Sequence, residues 1–134
     1  HDPGVDSGHM IAQYTQAGIV SELKRLAAPA SVDSIPTSAM QEDHVSMGWS
    51  AARKLRRSID GLQRVLAIEL MTAARGIEMR GARPSTVSAA VIGALREVVP
   101  GPGPDRYLAL DIQAAVDAVV NGTLLAASGI GATR

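Results

Sequence analysis

The side chains best suited to chemistry are concentrated in one polar segment, SVDSIPTSAMQEDHVSMG, at positions 31–48. Hydroxyls, an amide, carboxylates and an imidazole lie here between two apolar stretches. The same residues also describe the start of a helix. Ser38 as the N-cap residue with Gln41 three positions later matches a capping box, and Glu42 and Asp43 would stabilise the positive end of the helix dipole. On the residues alone, this structural interpretation is favoured over a catalytic one.

Two familiar kinds of site are not supported by this segment. Glu42, Asp43 and His44 are consecutive, so on a helix their side chains fan outward instead of converging as metal ligands at positions i and i+4 do. We therefore expect no metal site. Ser38, His44 and Asp33 are the residue types of a nucleophilic triad. However, no surrounding pattern indicates a nucleophile elbow. We therefore reject the triad as well.

The composition of the chain predicts an all-α fold. Its 134 residues are enough for one domain with an apolar core. Hydrophobic residues make up 46 %, aromatic residues only 2 %, and Phe is absent. Sheets favour aromatic and β-branched residues, whereas aliphatic, Ala-rich chains favour closely packed helices. We expect one helical unit over residues 1–134.

The charge balance gives no support for a nucleic acid or an anionic membrane as partner. Thirteen basic residues offset thirteen acidic ones. The basic run RKLRR at positions 53–57 is interpreted as a solvated helix face, because no aromatic residues are interleaved and Arg56 can pair with Asp60. The chain has no cysteine, which is compatible with the cytoplasm.

No segment has the pattern of a membrane span or a signal peptide. The apolar stretch at positions 87–99 is short and contains Arg96 and Glu97, and the apolar region after Leu108 is interrupted by charged residues. The polar N-terminus has no basic region followed by an apolar one. Because the first residue is His1 and not Met, we expect the chain to be a piece of a longer protein.

Apolar spacing and helix-stop signals predict four helices, at about residues 8–28, 38–80, 86–99 and 108–121. The first is expected to be capped by the DSG sequence at positions 6–8 and to end before Pro29, and Ser85 or Thr86 is expected to cap the third. The run PGPGP at positions 100–104 cannot be helical. The residues predicted to face inward on the third and fourth helices are Val87, Val91, Leu95, Val98, Ile112, Val116 and Val119. The last dozen residues are weakly specified.

The second helix carries the strongest periodicity in the chain. Its apolar face comprises Met47, Ala51, Leu55, Ile59, Leu62, Leu66, Leu70, Ala73 and Ile77. Thirty residues of helix extend about 45 Å, which exceeds a compact domain of this size. We expect a long-helix bundle whose apolar face causes self-association. A non-catalytic helical interaction module would explain the same face and is the alternative function.

The polar segment also carries a resemblance to a known family. Together with SGHMIAQ at positions 7–13 and VLAIEL at positions 65–70, it resembles the C-terminal helical part of the histidine ammonia-lyases, in the aromatic amino acid lyase family. The similarity runs from about Asp6 to Val120 and includes DRYL at positions 105–108. The polar segment distinguishes these enzymes from the phenylalanine and tyrosine lyases. Many family members have Asn where this chain has Met40, so a role for that amide in binding substrate is not carried over.

The resemblance implies a fold, a reaction and an assembly. The fold is part of the helical core of the lyases. The reaction is elimination of ammonia from L-histidine to give trans-urocanate, with a 4-methylidene-imidazol-5-one (MIO) electrophile formed from an internal Ala-Ser-Gly sequence. The assembly is a cytoplasmic homotetramer whose active sites combine residues from more than one subunit.

The resemblance also implies the site residues. Glu42 corresponds to a glutamate beside the bound substrate, where it either binds the imidazole or assists proton transfer, and Gln41 is expected to support it in binding substrate. No cofactor-forming residue is expected in this chain. Ala127, Ser128 and Gly129 spell the tripeptide, but we interpret this as coincidence because the family's tripeptide lies far upstream. The chain alone is therefore expected to be inactive.

Overall fold

The computed structural model, which describes residues 4–131, is built around one helix of 32 residues, α2 (Gly48–Met79). The other helices are α1 (Met10–Leu26), α3 (Thr86–Arg96), α4 (Leu108–Val120) and α5 (Thr123–Ser128), with a single 3-10 turn at Ala30–Val32. No β-strand forms within residues 4–131. The prediction of an all-α fold with one long helix is confirmed.

The hydrophobic core lies around the C-terminal half of α2. Its members come from α2, from α3 and the turn after it, from α4 and from α5, and are Ala67, Met71, Ala74, Leu95, Val99, Ala115, Val116, Ala118 and Leu124. Four of the nine are alanines, so these helices approach each other closely, and burial of the larger aliphatic side chains supplies most of the stabilisation. Helix α5 was not predicted, yet its Leu124 is buried in this core.

Helix α1 packs along α2. A Cβ added at Gly61 would lie 2.8 Å from Leu23 Cδ2, so glycine permits the close approach of these two helices. Gln16 Nε2 donates to the Val65 carbonyl at 3.0 Å. Lys54 Nζ donates to the Ala28 carbonyl just beyond the end of α1. These contacts fix the direction in which the chain leaves α1.

The predicted cap of α1 is wrong. Helix α1 has no side-chain hydrogen bond at its N-cap, His9. The Asp6 side chain instead accepts from the Asp105 backbone N–H at 3.0 Å, and the Asp105 carboxylate accepts from the backbone N–H groups of Ser7 and Gly8 at 2.6 and 2.8 Å. The residues before α1 are therefore fixed to the loop before α4.

Other local predictions had mixed outcomes. Ser85 caps α3 as predicted, accepting from the Ser88 N–H at 3.2 Å. Val87 and Val98 are exposed, because α3 turns Leu95 and Val99 toward the core instead. The predicted pair of Arg56 with Asp60 is not formed. Within residues 4–131 the ion pairs are Arg96–Glu78 at 2.6 Å and Arg106–Asp111 at 2.7 Å.

The long apolar face of α2 is only partly used by its own chain. Leu55, Ile59, Leu62 and Leu66 are between 45 and 61 % exposed. The neighbouring face, with Ile68 and the core residues of α2, is buried. No helix within residues 4–131 is both long and apolar enough to cross a membrane.

Candidate functional site

The polar segment forms a closed loop between α1 and α2. At its tip, the backbone N–H of Thr37 donates to the Glu42 carbonyl at 3.0 Å and the Glu42 N–H donates to the Thr37 carbonyl at 3.2 Å. At its base, Ser34 Oγ accepts from the Val45 N–H at 2.9 Å and donates to the Val45 carbonyl at 3.2 Å. Residues 34–45 therefore form a defined loop, which we call the Glu42 loop.

The tip of the Glu42 loop is strained. Ser38, Ala39 and Met40 have φ values of +53, +53 and +71°, in the left-handed region that L-residues seldom adopt. A non-glycine residue costs roughly 1–2 kcal/mol in this conformation, and asparagine tolerates it better than most. The Gln41 N–H donates to the Ser38 carbonyl at 3.1 Å within this turn. Such strain persists only where the surrounding structure holds it, and it is concentrated at functional sites.

The predicted start of the second helix at Ser38 is wrong, and so is the capping box with Gln41. The backbone groups that an early helix start would need are already used, since the Glu42 N–H bonds to Thr37 and both backbone groups of Val45 bond to Ser34. Helix α2 begins ten residues later, at Gly48. The polar segment is a loop and not a decorated first turn.

Glu42 and Gln41 are both exposed at the end of the strained turn. Within residues 4–131, neither side chain has a hydrogen-bond or ion-pair partner. Met40 beside them is 78 % exposed. The backbone of this turn is thus fixed by hydrogen bonds, while the side chains of Gln41 and Glu42 are exposed.

The remaining polar residues of the segment do not gather around Glu42. His44 lines a separate pocket of about 220 Å³ with Asp33, Ser31 and the residues at the start of α2. Within the part of the chain that the structure describes, no hydrogen bond joins Ser38, His44 and Asp33, and no three His, Cys, Asp or Glu side chains form a metal-binding group. The geometry gives no support for a triad.

The comparisons with known proteins decide the family. The family model for aromatic amino acid lyases matches residues 1–97. The chain belongs to the aromatic amino acid lyase family. A histidine ammonia-lyase from Streptomyces avermitilis is 65 % identical over 129 residues, which are 95 % of this chain and 25 % of that relative.

Solved structures of the lyase family confirm the architecture. A histidine ammonia-lyase from Trypanosoma cruzi matches 96 % of this chain and 25 % of its own, with a TM-score of 0.90 and 40 % identity. A tyrosine aminomutase from Streptomyces globisporus matches 95 % of this chain and 24 % of its own, with a TM-score of 0.89 and 38 % identity. The chain therefore spans about a quarter of the length of the relatives that it matches.

The Ala-Ser-Gly sequence of this chain does not fit the formation of an MIO group. Ala127 and Ser128 end helix α5, and Gly129 is its C-cap residue with a φ of +68°. Ser128 Oγ donates to the Leu125 carbonyl at 2.7 Å and accepts from the Ile130 N–H at 3.1 Å. Helix α5 packs against α3 and α4, whereas the Glu42 loop precedes the opposite end of α2. The structure does not bring this tripeptide together with Glu42.

A second concave surface, absent from the sequence predictions, lies between α1 and α4. This pocket of about 490 Å³ is lined mainly by Ile11, Thr15, Arg64, Tyr107, Leu108 and Ile112. No sequence signal marks it, because its residues come from three separate parts of the chain. It contains no catalytic constellation, and the Glu42 loop is the better candidate site.

Proposed function

We propose that this chain is part of a histidine ammonia-lyase that converts L-histidine to trans-urocanate and ammonia, and that Glu42 acts on the substrate. The observation that carries the proposal is the similarity to histidine ammonia-lyases, 65 % for the Streptomyces avermitilis enzyme. The exposed carboxylate of Glu42 supports it, because a group with no partner within residues 4–131 is available to a ligand.

The chemistry of this elimination explains why a carboxylate is needed. The β-proton of histidine is weakly acidic and ammonia is a poor leaving group, so both ends of the reaction require assistance. An ionised carboxylate offers only hydrogen-bond acceptors. Glu42 therefore either accepts from the imidazole N–H and orients the ring, or takes up a proton during the reaction. Gln41 beside it can donate through its amide and support substrate binding.

The electrophile that activates the amino group must come from another part of the protein. Within residues 4–131 the only Ala-Ser-Gly sequence is the helix end at Ala127, which does not fit the MIO group. The 134-residue chain alone is accordingly proposed to be inactive, and the full-length enzyme to act in the cytoplasm. Urocanate formation by the chain alone would overturn the assignment of the tripeptide as coincidence.

The test of Glu42 is its replacement in the full-length protein. We expect Glu42→Gln to lower the rate of urocanate formation, followed by ultraviolet absorbance, by about 10²–10⁴-fold. Glu22→Gln, at an exposed position on α1, is the matched control and should retain the rate. Full turnover by Glu42→Gln would contradict the proposal and favour the interaction module. A higher KM with an unchanged kcat would identify Glu42 as a substrate-binding group.

We also propose that the enzyme is a homotetramer and that other copies of the chain cover the exposed face of α2. The support is the row of Leu55, Ile59, Leu62 and Leu66, each at least 45 % exposed, since rows of this kind mark protein interfaces. Light scattering of the chain should show a species larger than a monomer. Leu62→Glu should reduce its mass, whereas Leu110→Glu, on the exposed face of α4, should not. A strictly monomeric chain at high concentration would refute this.

A further inference from the structure

We propose that Ser34 is a positioning residue for Glu42, and that its hydroxyl sets the geometry in which the carboxylate meets the substrate. The inference rests on the proposed function of Glu42. It assigns to Ser34 a task separate from contact with the substrate.

The hydrogen bonds of the Glu42 loop carry the proposal. Residues 34–36 and 43–45 form no backbone bridge with each other, so the base of the loop is closed by a side chain. Ser34 Oγ makes both bonds of that closure, accepting from the Val45 N–H at 2.9 Å and donating to its carbonyl at 3.2 Å. Ser34 pairs with Val45 three residues outside the Thr37–Glu42 pair on each side. Backbone hydrogen bonds alone do not close this hairpin-like loop, and the Ser34 hydroxyl completes it.

The strained backbone at the tip of the loop depends on this closure at the base. Three consecutive residues, Ser38 to Met40, are held in the left-handed region immediately before Gln41 and Glu42. The relaxed form of such a turn is different, and it is kept from relaxing by the bonds across the loop. No residue of the loop is fully buried, so hydrogen bonds contribute more than packing to holding it. Opening the base at Ser34 would allow the turn to relax and would move the Glu42 carboxylate.

The position of Ser34 also separates it from the reacting atoms. It is half-buried, and its hydroxyl donates its one proton to Val45. Glu42 is exposed at the other end of the loop. Ser34 therefore acts through Glu42, and its removal should matter only while Glu42 is present.

A double-mutant cycle in the full-length enzyme tests the proposal. We expect Ser34→Ala to lower kcat on the order of 10- to 100-fold, as misplacement of a catalytic group by about 1 Å does. Ser34→Thr keeps the hydroxyl and should recover most of kcat. Ser50→Ala, at an exposed position of α2, is the control. In the Glu42→Gln background, Ser34→Ala should cause no further loss, because coupled residues are not additive. An equal loss in both backgrounds would overturn the proposal.

Hydrogen exchange gives a readout that does not depend on activity. Ser34→Ala should speed exchange of the Val45 and Glu42 amides, and Ser34→Cys provides a second variant of similar size if the alanine variant folds poorly. Faster exchange with unchanged kcat would overturn the positioning role while leaving the function of Glu42 intact. Full turnover by Glu42→Gln would overturn the proposed function itself, and the positioning role with it.

Discussion

The two halves of α2 are held in different ways. The C-terminal half contributes Ala67, Met71 and Ala74 to a core that α3, α4 and α5 complete. The N-terminal half packs against α1, where Leu23 lies against Gly61, and most of its apolar side chains remain exposed. No residue from 13 to 66 is fully buried. One half of the helix is therefore stabilised by its own chain, and the other half presents apolar surface for something else to cover.

The candidate site lies in the less packed half. The Glu42 loop precedes α2 and derives its shape from hydrogen bonds and backbone conformation, without a buried side chain. Its candidate side chains, Gln41 and Glu42, are exposed, and the hydrophobic core lies elsewhere in the chain. The proposed role of Glu42 therefore depends on a backbone fixed by hydrogen bonds and not on a packed core.

The largest expected effect on stability comes from comparing the same substitution in the packed half and in the exposed half of the molecule. Leu95 is almost completely buried, so Leu95→Ala should reduce the free energy of unfolding of the chain by about 2–5 kcal/mol. Leu62→Ala, the same change on the exposed face of α2, should cost less than about 0.5 kcal/mol in the monomer. Denaturant titration of both variants measures the difference. Similar losses would show that the two halves are one cooperative core.

The sequence predicts the packed half of the molecule better than the exposed half. The starts of α3 and α4 match the predicted ones, because Pro residues precede both helices and Ser85 has the type and position of a cap. Helix α5 was missed because six residues show too little periodicity to recognise. Its Leu124 becomes part of the core through tertiary contacts that no local pattern encodes.

For the candidate site, the sequence did not predict the conformation of the loop, and the roles of Glu42 and Gln41 stay predictions. The polar segment suggested these two residues, yet its residue types also matched a capping box at Ser38. Propensity could not reveal the left-handed turn, because neither serine, alanine nor methionine favours positive φ. The hydroxyl of Ser34, which decides that the segment is a loop, bonds to a residue eleven positions away. Local rules do not register such a contact.

The second expected effect is a gain in stability from relieving strain in the Glu42 loop, without any added packing. Met40 has a φ of +71°, and asparagine tolerates this region at lower cost. Met40→Asn should therefore raise the free energy of unfolding of the chain by up to about 1 kcal/mol. Met79→Asn, at the exposed helical end of α2, is the control and should not stabilise. Loss of stability in Met40→Asn, measured by denaturant titration, would show that the strain is relieved in another way.

The smallest expected effect concerns His9, at the edge of the packed half, where Nδ1 lies 3.0 Å from Thr72 Oγ1. Burial, followed by the positive charges of Arg75, Arg106 and Arg96, lowers the pKa of His9 below its ordinary value of 6.5, although Asp111 opposes the shift. The unfolded chain then binds a proton at a higher pH than the folded chain does. The stabilisation from neutral His9 is present above pH 6.5 and is lost as the pH falls toward the folded-state pKa. His9→Gln should flatten this part of the curve of unfolding free energy between pH 7.5 and 5. An unchanged slope would mean that His9 gains its proton equally in the folded and unfolded states. Added salt should weaken only the part of the pKa shift that is due to the arginines.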